Sequence, residues 1–149
     1  MRTLLACFLI TSFSFTHLVN AQDATEIIFK GRVTVDYKNC KGAELTLCQF
    51  SAASPDCSEH AKMVTKSNGQ FEFTLNRDNS YRVIVKKDGY VDRIIELNTT
   101  LPKVVADSKQ TFEADVELTL YPEATEPVTV ANVFFDAEKG KFDYTLPQK

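Results

Sequence analysis

From Ile27 to Tyr37 the chain alternates. Ile27, Phe29, Gly31, Val33, Val35 and Tyr37 share one parity, while Lys30, Arg32, Thr34 and Asp36 share the other. Successive side chains of an extended chain point to opposite faces, so period two with one apolar side is a half-buried strand. The pattern recurs. Phe112, Ala114, Val116, Leu118 and Leu120 alternate with Glu113, Asp115, Glu117 and Thr119. Shorter runs put Leu45 and Leu47, then Phe71, Phe73 and Leu75, then Tyr81, Val83 and Val85, then Ile95 and Leu97 on inward sides. Val128 to Phe135 is apolar on both parities, and no window carries the spacing of a long amphipathic helix.

Turn chemistry divides these runs. Asn68-Gly69 and Asp88-Gly89 accept positive φ at little cost and predict hairpins over Lys62 to Leu75 and around Lys87 to Tyr90. Lys38 to Gly42 reads as a polar turn, Ser51 to Glu59 and Asn76 to Ser80 as loops, and Asn98 to Lys109 as a polar connection. Lys139-Gly140-Lys141 turns the chain into a short end at Phe142 to Tyr144. The fold class these signals predict is all-β, a seven- to eight-stranded antiparallel β-sandwich.

The first 21 residues read as a secretory signal peptide: Met1-Arg2, an apolar run from Leu4 to Phe15, and small residues up to Ala21. That run is shorter than the roughly 20 residues of a spanning helix. Cys7 has the neighbours of a lipoprotein box but no apolar core ahead of it, and it leaves with the leader. The expected organisation is 1–21 signal peptide, 22–26 a short lead, 27–121 the sandwich, and 122–149 a C-terminal extension with an extra strand and a short hairpin. The expected product is secreted or periplasmic and has no transmembrane segment. Of 149 residues, 44% are hydrophobic and 25% charged, with a net charge of −3, which fits a globular domain and argues against a nucleic-acid partner.

A family resemblance rests on Gly31-Arg-Val33, Ala43-Glu-Leu45-Thr-Leu47, Asn68-Gly69-Gln-Phe71-Glu-Phe73, and Tyr81-Arg-Val83 with Lys87-Asp-Gly89-Tyr90. Over residues 27 to 120 this resembles the carboxypeptidase regulatory-like domains of the transthyretin-like (prealbumin-like) sandwich group. The tail, Val133-Phe-Phe135-Asp136 through Lys141-Phe142-Asp143-Tyr144, resembles the ends of small exported proteins of the Bacteroidetes. The resemblance implies a non-catalytic module that binds a protein or glycan partner in the cell envelope or outside the cell. A small-molecule carrier of prealbumin type is the alternative, and an enzyme comes third.

The reactive inventory is thin. His60 is the single histidine after the leader and would have to act as a base alone. Cys40, Cys48 and Cys57 have no C-x₂-C pair, so neither a metal nor a cofactor is expected. Cys40 and Cys48 are separated by roughly 25 Å of extended chain, beyond disulfide reach. Cys48 and Cys57 flank a flexible loop and form the easier pair, with three free thiols as the alternative. Glu113, Asp115 and Glu117 form an acidic row, and Lys30 with Arg32 a basic one. If their strands are neighbours, the rows pair across the ladder. Phe50, Tyr90 and Tyr121 are the candidate binding-face aromatics. Asn98-Thr99-Thr100 fits a glycosylation acceptor only in a host with that machinery.

Overall fold

The computed structural model describes residues 25–51, 54–107, 110–122 and 126–147; the leader lies outside them. Among the described residues there are ten strands and one short helix: β1 Glu26–Val35, β2 Lys38–Asn39, β3 Glu44–Ser51, β4 Ser54–Val64, β5 Gln70–Leu75, β6 Ser80–Lys86, β7 Arg93–Asn98, α1 Lys103–Ala106, β8 Thr111–Leu120, β9 Val128–Asp136 and β10 Lys141–Thr145. They form two sheets. In the first, β1 lies between β5 and β8, with β2 folded back on its end. The second runs β10-β9-β7-β6-β3-β4.

The alternating residues do what their parity requires. Ile27, Phe29 and Val33 of β1 and Phe71, Phe73 and Leu75 of β5 are buried, as are Ala114, Leu118 and Leu120 of β8. They share one core with Leu45, Leu47, Tyr81, Val83, Val85, Ile95 and Leu97 from the second sheet. Each fully buried Leu, Ile or Phe contributes roughly 1.5–3 kcal/mol, so the sandwich rests on this shared layer. Gly31 sits in the middle of β1 because nothing larger fits. A Cβ there would stand 2.2 Å from the Val116 carbonyl oxygen and 2.8 Å from Phe71 Cζ.

Several expectations need correction. The sheets are mixed, since β1–β8 and β7–β9 are parallel pairs. Alternation reports which face a residue takes, and says nothing about the direction of the neighbouring strand. Ser51 to Glu59, read as a loop, lies mostly within β4, which pairs with β3 through two register shifts. Its Ser, Pro and Asp residues have low strand propensity, but ladder bonds to β3 override it. The stretch Lys62 to Leu75 is not a hairpin. β4 pairs with β3, β5 pairs with β1, and Asn68-Gly69 carries the chain from one sheet to the other. The turn itself forms, with Gly69 at φ 69°. Pairing β5 with β1 sets Phe71 against Phe29, ring centroids 5.4 Å apart. Inside the polar connection, residues Lys103–Ala106 form a helical turn.

The two charge rows are neighbours. Lys30 faces Asp115 and Arg32 faces Glu117 in the β1–β8 register, and Lys30 Nζ reaches Glu113 Oε2 at 2.5 Å. That hydrogen bond, with the nearby carboxylates, holds the Lys30 ammonium above its ordinary pKa.

Candidate functional site

The sequence-predicted residues fall in different places. The structure joins Cys48 to Cys57, Cα atoms 5.2 Å apart, and leaves Cys40 buried as a free thiol. The bridge ties β3 to the segment that propensity alone would leave loose. His60 is exposed on β4, its ring 6.0 Å from that of Tyr81. Phe50 lies at one end of the second sheet, paired in register with Ser80, under the guanidinium of Arg82 at 5.0 Å. Tyr90 and Tyr121 lie at the other end. Tyr90 follows the turn after β6 and packs partly on the core. Tyr121 follows β8 and is 54% exposed. The Val91 N–H points to the Tyr121 carbonyl oxygen at 3.5 Å, which brings the two segments together. The three aromatics therefore do not share one face.

The end that holds Tyr90 and Tyr121 contains two residues the sequence reading did not single out. The first is Arg93. It opens β7 opposite Val85 on the inward side and is only 7% exposed. Among the described residues its Nε has no hydrogen-bond partner. Its guanidinium carbon lies 5.4 Å from the centroid of the Tyr121 ring. Asp92, next to it in the chain, is bound to Lys86 at 3.2 Å. Among the described residues no carboxylate forms an ion pair with Arg93. Burying part of a guanidinium without an anion is unfavourable. The cation–π contact offsets about 0.5–2 kcal/mol of that. A charged residue on the inward parity of β7 was the available signal, hidden because the run was read only from Ile95 and Leu97.

The second residue is Tyr37. The β1–β2 turn is two residues long, flanked by the Val35–Lys38 pair, and both Asp36 (φ 48°) and Tyr37 (φ 62°) are left-handed. Such a turn favours Asn-Gly or Asp-Gly, because only glycine takes the second position freely. A bulky residue there costs about 1–3 kcal/mol. Tyr37 is also 96% exposed, so packing does not offset the strain. Val35 pairs with Leu120 on one edge of β1 and with Lys38 on the other, so the turn leads away from β8. Alternation had assigned Tyr37 to the inward row, but the strand ends at Val35 and the turn rotates the residue outward.

A separate groove of about 820 Å³ runs along β1 on the first sheet, lined by Lys30, Arg32, Lys66, Gln70, Glu72 and Glu117 among others. Its cations stand among carboxylates of β5 and β8, so its charge is largely matched from within. Arg93, by contrast, keeps a binding capacity that the described residues leave unused.

No family model matches the sequence, and no curated protein is similar to it. Solved structures of similar shape include ring-cleavage enzymes. One is the 3-chlorocatechol 1,2-dioxygenase of Rhodococcus opacus 1CP, with 18% identity over 68% of this chain and 61% of that one and a TM-score of 0.48. A second is the catechol 1,2-dioxygenase of Acinetobacter sp. ADP1, 13% identical over 74% and 60%, with a TM-score of 0.44. A third is an intradiol ring-cleavage dioxygenase of Tetranychus urticae, 12% identical over 72% and 86%, with a TM-score of 0.48. The chain thus spans about three fifths of the length of the two bacterial enzymes.

These neighbours correct the resemblance drawn from the turn and core motifs. The shape matches are dioxygenases, with no carboxypeptidase regulatory-like or transthyretin-like domain among those above. With that assignment fall the non-catalytic protein- or glycan-binding module, the prealbumin-type carrier and the exclusion of enzyme activity. The motifs misled because Asn-Gly turns and alternating Phe and Val serve any β-sandwich. At these identities and TM-scores the likeness assigns neither a family nor an activity to this chain. Among the described residues no group of three or more His, Cys, Asp or Glu side chains is placed to hold a metal ion. Among the same residues no helix is long and apolar enough to cross a membrane.

Proposed function

We propose that the chain takes up a small organic acid at the tyrosine-rimmed end of the sandwich, its carboxylate held by Arg93. The observation that carries this reading is the buried guanidinium with an unpartnered Nε. A planar fork of N–H donors matches a carboxylate in two parallel bonds. An incoming anion would supply the partner that a buried cation otherwise lacks, and a buried pair is discriminating because its loss leaves a charge stranded. Tyr121 stacks over the guanidinium, 5.4 Å from ring centroid to the guanidinium carbon.

The test is titration calorimetry on the full chain with benzoate, cyclohexanecarboxylate and the uncharged benzyl alcohol. Saturable binding of the two acids, absence of binding by the alcohol, and at least tenfold weaker acid binding in Arg93→Met are expected. Acid binding that survives Arg93→Met in a folded variant, or none in the wild type, rejects the reading. We also propose export after cleavage near Ala21. The Cys48–Cys57 bridge supports it, since such bonds persist in oxidising compartments. Mass analysis of the product from the native host, beginning at Gln22 or at Met1, decides this.

A further inference from the structure

We infer that the free edge of β5 docks an extended peptide of alternating apolar and basic residues, which joins the first sheet as an added strand. Among the described residues β5 pairs with β1 and with no other strand. The ladder fixes which of its backbone groups stay open. The Val33 N–H donates to the Gly69 carbonyl, and the Val33 carbonyl accepts from the Cys40 N–H. Both backbone groups of Val33 therefore face the β5 side of β1. Alternation turns Gly31, Phe29 and Ile27 the same way, toward their register partners Phe71, Phe73 and Leu75. Glu72 and Thr74 then point their N–H and carbonyl groups at the open side, where no described strand meets them. Such an edge templates a strand from another chain unless the sequence blunts it. The β4 edge of the other sheet is blunted by two register shifts. β5 keeps an unbroken register and contains neither proline nor lysine.

Charge selects the occupant. On the outward face of the first sheet, Lys30 and Arg32 stand among Glu72, Glu113, Asp115 and Glu117, so both cations are answered and acid is in excess. Lys30 faces Glu72 but bonds Glu113, which leaves the exposed Glu72 carboxylate open to a second cation. A second copy of β5 supplies none. Edge-facing residues pair with one another in an antiparallel ladder, and here they are Gln70, Glu72 and Thr74. A strand with lysine or arginine opposite Glu72 does supply one. β1 shows the match on the covered edge, where Lys30 faces Glu72 while Phe29 and Gly31 face Phe73 and Phe71. The groove along β1 takes in Phe71 and, from β4, Met63, apolar groups for the alternate side chains of the added strand.

The probe is the acetylated and amidated peptide of residues 29–35, added to the full chain, with a control in which glutamate replaces its lysine and arginine. Saturable binding, slowed hydrogen exchange at the Glu72 and Thr74 amides, and at least tenfold weaker binding of the control are expected. Glu72→Gln should weaken binding at least threefold. Thr74→Pro removes an edge-facing donor that β1 does not use, so it should abolish binding while the Phe71 and Phe73 amides stay protected. No binding by wild type, equal affinity for the two peptides, or undiminished binding by a folded Thr74→Pro overturns the inference. A wild-type dimer that Thr74→Pro splits also overturns it, because a second copy then holds the edge. Where Thr74→Pro does not fold, the two peptides and Glu72→Gln decide.

Discussion

Lys30 and Arg93 are both cations on interior strands, and the molecule treats them oppositely. Lys30 stands on the outward face of β1, bonded to Glu113 and facing Asp115 across the ladder. Arg93 stands on the inward side of β7, buried, with no matching carboxylate among the described residues and a tyrosine ring as its neighbour. The middle of the first sheet is self-sufficient: its cations are matched, and its centre is so tight that only Gly31 fits. The far end carries unmet demands, a desolvated cation and a strained, exposed phenol. The first region's cations are matched from within, whereas the second leaves Arg93 Nε without a partner among the described residues.

The sharpest way to break this contrast is at the tight centre. Gly31→Ala should destabilise the protein by about 2–3 kcal/mol, because its methyl meets the backbone at Val116 and little can shift. Urea unfolding with an unchanged slope would measure it, and a loss below half a kilocalorie would show that the centre is not tight. Arg93→Met should act in the opposite sense, raising stability by about 1–2 kcal/mol by removing a buried unpaired charge. A loss in the same assay would mean that the guanidinium holds the end together, making it structural. Lys30→Ala should cost far less than Gly31→Ala, because solvent screens this exposed cross-strand pair, and the loss should shrink in high salt.

The smallest effect concerns acid. Asp136 and Asp143 flank Lys139 at the β9–β10 turn. The Lys139 backbone N–H, then its ammonium, hold the Asp136 carboxyl below its ordinary pKa, and the same ammonium does so for Asp143. A lowered folded-state pKa gives stability that is complete above the ordinary carboxylate range and is lost as pH falls through the folded value. The hairpin amides around Gly140 should therefore open in hydrogen exchange at acid pH before those of β1. Lys139→Met should weaken that pH dependence without abolishing it, because the backbone N–H groups of Glu138 and Lys139 still bond Asp136; an unchanged dependence would show that the ammonium does not hold the hairpin.

Much of the sandwich was legible in the residues. Phe112 to Leu120 and Ile27 to Val35 carry strict alternation, and their faces follow directly. The Asp88-Gly89 turn joins β6 and β7 as an antiparallel pair. The nearness of the acidic and basic rows could be argued from charge alone. Other features had no local signal. Ser54 to Glu59 belongs to a strand because β3 lies beside it, and nothing in Ser-Pro-Asp-Cys announces that neighbour. Asn68-Gly69 specifies a tight turn but not which sheet each flanking strand joins. For the site, Tyr90 and Tyr121 were visible as large aromatics, but Phe50 was grouped with them although it lies at the opposite end. Arg93 and Tyr37 were missed because a charge on an inward parity and an aromatic at a strand end become informative only once burial and φ are known.

Amino-acid order alone determined which side chains turn inward and where the chain can bend, since both depend on residues within a few positions of one another. Tertiary structure alone decided the parallel β1–β8 and β7–β9 pairings and the order of strands in each sheet. It also decided the meeting of Arg93 with Tyr121. Those outcomes depend on which distant surfaces exclude water together, and that free energy belongs to the assembled layers rather than to any stretch of chain.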